Sequence, residues 1–196
     1  MSKPRIVILA GPNGAGKTTA AKYLLTEAFG IVEFVNADII AAGLSAYAPE
    51  SVAFEAGRVM LSRINALLMA NKSFAFETTL SSKSFARLIP RAREAGYYVT
   101  LVYVALPSAS LAKRRVAKRV KSGGHNIPTD VIERRFKRSL TNLVDRYRVL
   151  VDEWFVYDNA ELKAPTIIAF GTNKSSTVVE DKKWQRLLKL AAQTEK

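Results

Sequence analysis

The stretch GPNGAGKTT at residues 11–19 constrains this chain more than any other. It matches the spacing G-x-x-x-x-G-K-[ST], with Gly11, Gly16, Lys17 and Thr18 at the fixed positions of a phosphate loop. Glycines let successive backbone N–H groups turn inward around a phosphate, which side chains would otherwise block. The lysine reaches the outer phosphates of ATP or GTP, and the Thr18 hydroxyl is a ligand for Mg²⁺. Gly11, Pro12, Asn13, Gly14, Ala15, Gly16, Lys17, Thr18 and Thr19 are therefore the expected nucleotide contacts. The pattern has this meaning only between a strand and a helix. Residues 5–10, RIVILA, form a short apolar run rich in β-branched residues, and residues 17–25 have helical character. The phosphate would then sit at a helix N-terminus.

Strand and helix signals alternate along the rest of the chain. Strands are predicted at 31–35, 73–76, 98–105, 154–157 and 166–170. Helices are predicted at about 50–71, 82–95, 109–121, about 130–151 and 181–192, with residues 39–49 as a turn-rich connection. Thr129 or Asp130 is the expected cap of the helix after the Gly-Gly-His turn. The fold expected is an α/β parallel sheet of the P-loop NTPase or kinase type, covered by helices on both faces and carrying a helical lid. Residues 98–105 are apolar throughout, as a central strand buried on both faces would be. With 196 residues and no linker or repeat, the expectation is one domain over 1–196.

The chain has no cysteine, which excludes disulfides and thiolate metal sites, and a single histidine, His125, which excludes a histidine-based zinc site. No apolar run is long enough for a signal-peptide core or a membrane span, so the expected setting is cytoplasmic, with no membrane partner. Thirty Lys plus Arg against seventeen Asp plus Glu leave a net charge of +13, which suits anionic partners. Residues 113–138 alone hold ten basic and two acidic residues around Gly123 and Gly124. This stretch is the predicted lid. Its arginines, Arg115, Arg119, Arg134, Arg135 and Arg138, can stack on adenine and neutralise a transferring phosphoryl group, or form a solvated charged face. His125 reads as a turn residue of that lid and not as a catalyst.

Two further strand ends carry carboxylates. Asp38 follows the second strand and can either take a proton from an attacking hydroxyl or cap the turn beginning at Ile39. Glu77 follows the third. It can bind Mg²⁺ through water, hold a substrate hydroxyl, or cap the next turn through Thr78 and Thr79. No hydrophobic run ending in Asp of the usual Walker-B kind is evident, so Asp38 and Glu77 compete for the metal's second contact.

GPNGAGKTT (11–19), FVNAD (34–38), FAFETTL (74–80) and RVKSGGHNIPTDVIERRFKRS (119–139), in that order, resemble the zeta-toxin family of P-loop kinases over about residues 5–160. The likeness is to the compact branch often described only as predicted ATPases. It implies an ATP-dependent kinase acting on a small-molecule alcohol, with UDP-N-acetylglucosamine as the family's acceptor and an antitoxin that blocks the ATP site. Residue by residue it implies Lys17 on the phosphates, Thr18 on Mg²⁺ and Asp38 as base. Glu77 and Thr78 would face the substrate, and Arg119 and Arg134 the phosphoryl group.

Three rival functions remain. ABC-type ATPases share this loop, but their LSGGQ signature and Walker-B Asp-Glu are missing. A polynucleotide or nucleoside kinase suits the charge, yet no aromatic residues are interleaved with the basic run as a single-strand platform prefers. A nucleotide-gated regulatory module would not need both Asp38 and Glu77.

Overall fold

The computed structural model describes residues 3–124, 126–161 and 164–193, and only the backbone of residues 22–24. His125 lies outside the described residues. The first strand, β1 (Arg5–Ala10), leads through the glycine loop into α1 (Lys17–Tyr23), which ends in a π-helical turn, Leu24–Ala28. Then come β2 (Phe34–Val35), α2 (Ala37–Leu44), α3 (Ala53–Met69), β3 (Phe74–Thr78) and α4 (Leu88–Glu94). The second half holds β4 (Tyr98–Ala105), α5 (Ala109–Lys121), α6 (Thr129–Asn142) and the short α7 (Arg148–Leu150). It closes with β5 (Glu153–Asp158), β6 (Thr166–Thr172), β7 (Ser176–Val178) and α8 (Asp181–Ala192).

The strands form one sheet in the order β2-β3-β1-β4-β5-β6-β7. From β2 to β5 every pairing is parallel, while β6 and β7 join antiparallel. Helices link the parallel strands, as crossover connections require. β4 lies at the centre, and seven of its eight residues are buried, in line with its unbroken apolarity. The chain leaves β1 for β2 on one side and later crosses to β4 on the other. The glycine loop therefore sits at the point where strand order reverses, where such sheets open a crevice for ligands.

Four local expectations need correction. Residues 31–33 are not strand. The Ile31 amide closes the end of the first helix on Leu25 O (2.8 Å), which removes it from the ladder, and only Phe34 and Val35 pair with β3. Residues 37–44, expected mostly as turn, are helix α2, because the Asn36 side chain caps two of its free N–H groups. The helix expected to run to Val151 is α only to Asn142 and passes through a π turn, Leu143–Tyr147. Neither Thr129 nor Asp130 caps α6: Pro128 holds the N-cap position and offers no side-chain bond. β7 was also hidden in the sequence, since all three of its residues are exposed.

Candidate active site

The site is built from four strand ends on one edge of the sheet. At the first, Gly11 has φ +144°, and a Cβ there would run into the Val104 carbonyl of β4, so only glycine lets the loop leave β1 beside its neighbour. Gly16 has φ +86°, and a Cβ would lie 2.6 Å from Asn159 Nδ2. That amide donates to Ala15 O at 2.7 Å and holds the loop from the end of β5. The Ala15 amide donates to Pro12 O at 3.2 Å, and Lys17 Nζ donates to the same carbonyl at 3.1 Å.

Lys17 is buried, and its ammonium stands 3.6 Å from Glu77 Oε1. Burial pulls its pKa below the ordinary lysine value. Arg119 adds to that, whereas the charges of Glu77 and Asp38 oppose it. A cation held in this way gains most from a polyanionic ligand that replaces the lost hydration. Asn13 Oδ1 is likewise buried with no protein partner.

Glu77, at the end of β3, gathers the site. Its Oε2 accepts from Thr18 Oγ1 at 2.8 Å and from Asn36 Nδ2 at 2.9 Å. It does not cap the following turn; Thr78 Oγ1 does that, accepting the Leu80 amide at 3.0 Å. Leu80 is fully buried at φ +58°, an unusual conformation for a bulky residue. Asn142 Nδ2, bonded to Leu80 O at 2.8 Å, and Tyr147, donating to Ser82 O at 2.9 Å, hold this bend from the C-terminal end of α6 and the π turn after it. The bend presents Thr78, Thr79, Ser81 and Ser82 to the cavity.

Asp38 lies in the first turn of α2 and lines the same cavity. Its proposed capping role belongs instead to Asn36, whose Oδ1 accepts from the Asp38 amide (2.8 Å) and the Ile39 amide (3.2 Å). The cavity measures about 790 Å³ and joins Asn13, Gly14, Gly16, Lys17, Thr18 and Thr19 to Asp38, Glu77 and Thr78. On its far wall are Arg115, Lys118 and Arg119, spaced i, i+3 and i+4 along one face of α5, and Ser122, the C-cap that continues that face. Arg115 Nη2 donates to Ala160 O at 2.9 Å, while its Nη1 is buried without a partner. From α6 it is Arg135 that reaches the cavity; Arg134 is exposed and absent from its lining. Lys113 and Glu133, 2.7 Å apart, tie α5 to α6.

The oxygens of Thr18, Glu77 and Asp38 are hard ligands of the kind Mg²⁺ takes, and among the described residues no cluster of three or more His, Cys, Asp or Glu could cage a metal. That donor set fits a cation shared with substrate phosphates. Sequence reasoning missed Asn36 and Asn159. An Asn just before an apolar run is a cap signal that could have found Asn36; Asn159 pairs with the loop from 144 positions away and leaves no local trace.

A family profile described as Zeta toxin matches residues 1–164. The chain belongs to the zeta-toxin family. An uncharacterized protein of Haemophilus influenzae is 30% identical over 132 residues, which cover 67% of this chain and 92% of that one. Among solved structures, a chain of the AvrRxo1-ORF1:AvrRxo1-ORF2 complex with sulphate ions matches with a TM-score of 0.74 at 18% identity. The match covers 94% of this chain but 63% of that one, so this chain spans less than two thirds of that relative's length. The PezAT toxin–antitoxin structure from Streptococcus pneumoniae gives a TM-score of 0.64 at 17% identity, over 100% of this chain and 89% of that one. At these identities the likenesses show a shared fold. The family profile ends at residue 164, just before β6, so β6, β7 and α8 lie outside it.

Proposed function

We propose that this chain is a Mg²⁺-dependent kinase that transfers the γ-phosphoryl group of ATP to a hydroxyl of a small acceptor, with UDP-N-acetylglucosamine as the first candidate. The observation that carries this reading is the meeting of Thr18, Lys17 and Glu77 at the loop, with Asp38 across the same cavity. Phosphoryl transfer asks a protein for positioning and charge stabilisation, plus one group to orient the nucleophile. The free N–H groups at the start of α1 and the Lys17 ammonium would hold the phosphates. Thr18, with Glu77 behind it, would hold Mg²⁺, which would supply positive charge against the phosphates. Asp38 accepts the acceptor's proton, and the hydroxyls of Thr78, Thr79, Ser81 and Ser82 suit a polyol. Arg119 and Arg135 bring positive charge to the transferring group from the α5–α6 arm, which would close as a lid over 113–138.

The family likeness and the toxin–antitoxin setting of the PezAT structure support an antitoxin as the protein partner. No helix among the described residues is long and apolar enough to cross a membrane. The test is ATP consumption with Mg²⁺ against a panel of sugar nucleotides, nucleosides and oligonucleotides, with products identified by mass spectrometry. A phosphorylated sugar nucleotide that is not formed by Lys17→Ala supports the reading. ATP consumption driven only by oligonucleotides would overturn it in favour of a polynucleotide kinase.

A further inference from the structure

We propose that Asn36 is a positioning residue that fixes the two site carboxylates, Asp38 and Glu77, relative to each other. The inference rests on the kinase reading above. β2 pairs with β3 at Val35↔Phe76, so the next step along both strands brings Asn36 beside Glu77. Asn36 is buried, and both ends of its amide are engaged. The oxygen accepts from the Asp38 and Ile39 amides at 2.8 and 3.2 Å, and the nitrogen donates to Glu77 Oε2 at 2.9 Å.

A helix cap alone does not call for asparagine, because Ser and Asp cap equally well. An acceptor at one end and a donor at the other, a fixed distance apart, does call for an amide. Glu77's other two partners, Lys17 and Thr18, face the nucleotide. Asn36 faces the acceptor side and carries no charge that a phosphate would draw away. It thus ties the carboxylate beside the loop to the first turn of α2, which bears the base.

The test uses Asn36→Ser, which keeps a capping oxygen but has no amide to reach Glu77, and Asn36→Asp, which caps α2 but can only accept. Turnover is read as ATP consumption with UDP-N-acetylglucosamine and with water alone, well below the melting temperature of each variant. Melting curves are recorded in parallel. The expected result is a fall in kcat of about tenfold to a hundredfold, since misplacement of about 1 Å has effects of that size. KM for ATP should hold, and at least one variant should melt close to wild type. A normal rate in either variant overturns the proposal, as does a rate loss seen only in proportion to unfolding. A second measurement needs no turnover. The Asn36 side-chain amide signal in ¹⁵N NMR of the unliganded protein should shift in Glu77→Gln, and an unmoved signal overturns the link. The kinase reading fails separately, by Lys17→Ala and Asp38→Asn turning over like wild type.

Discussion

The phosphate loop and the α5–α6 arm supply charge to the same cavity, and they are made in opposite ways. The loop is fixed by backbone. Gly11 abuts the Val104 carbonyl, Asn159 holds Ala15 O, and Lys17 is bonded back to Pro12 O. Each loop residue has one place to be, and the motif that encodes it is contiguous. The arm offers many similar cations, sorted by helical phase alone. On α5, Ala112 and Val116 are buried, and the face beside them carries Arg115, Lys118 and Arg119 into the cavity. On α6, burial of Ile132, Phe136 and Ser139 turns Arg135 inward and leaves Arg134 and Arg138 in solvent. A dense basic run is thus a mixture of a few site residues and a solvated face, and the apolar stripe decides which is which.

The comparison predicts steep, residue-specific losses in the loop and graded ones in the arm. Lys17→Ala should have the largest effect, a loss of at least about a thousandfold in ATP turnover, by analogy with removing a single charge-stabilising donor. A steady-state assay showing near-normal turnover would remove the loop from the chemistry. Asp38→Asn should lose at least about a hundredfold, the ordinary worth of a general base. It should also melt near wild type, because the cap of α2 is Asn36. Early melting with a preserved rate would return Asp38 to a structural role.

The arm is sharpened by pairing variants. Arg119→Ala should slow turnover by roughly a hundredfold or more, as a group that faces developing charge does. Arg134→Ala, on the exposed face, should change it by less than about threefold. Equal losses in both would mean that the arm rearranges far enough on closure to bring α6's outer face inward. A smaller effect tests the loop's tertiary support. Asn159→Ala removes the bond to Ala15 O and should weaken ATP binding about tenfold by calorimetry, the value of a hydrogen bond whose loss leaves a buried group unsatisfied.

The smallest effect lies in the bend that carries the acceptor-side hydroxyls. Tyr147→Phe removes the bond to Ser82 O and should cost about 1 kcal/mol in urea unfolding. Burial pushes the Tyr147 phenol up to about 12, against the smaller opposing pull of the nearby Phe85 and Ala86 backbone and the Arg146 charge. A raised folded-state pKa means that its share of stability is complete below the unfolded value of about 10 and is lost as pH rises through about 12. Alkaline unfolding should therefore be less steep in Tyr147→Phe than in wild type.

Much of the fold was legible from the sequence because it depends on near neighbours. Strands β1 and β4 and helices α5 and α8 fall at the predicted residues, since unbroken apolar runs and 3.6-residue periodicity are local signals. The shape of the loop was legible for the same reason, because glycine spacing writes backbone conformation directly. What the sequence could not show depends on partners distant along the chain. Residues 31–33 look like strand until Leu25 O takes the Ile31 amide, and β7 has no buried residue to betray it. The competition between Asp38 and Glu77 was undecidable from spacing, because both follow strands. Parallel pairing of β3 with β1 set Glu77 against Thr18 and Lys17, and the Asn36 cap left Asp38 free on α2. The sequence by itself determined the glycine loop between β1 and α1, a contiguous piece of backbone. Only the tertiary structure decided which carboxylate stands at the loop and which arginines face it, because sheet register sets Glu77 against Thr18 and Lys17 and helix packing turns Arg115, Arg119 and Arg135 into the same cavity.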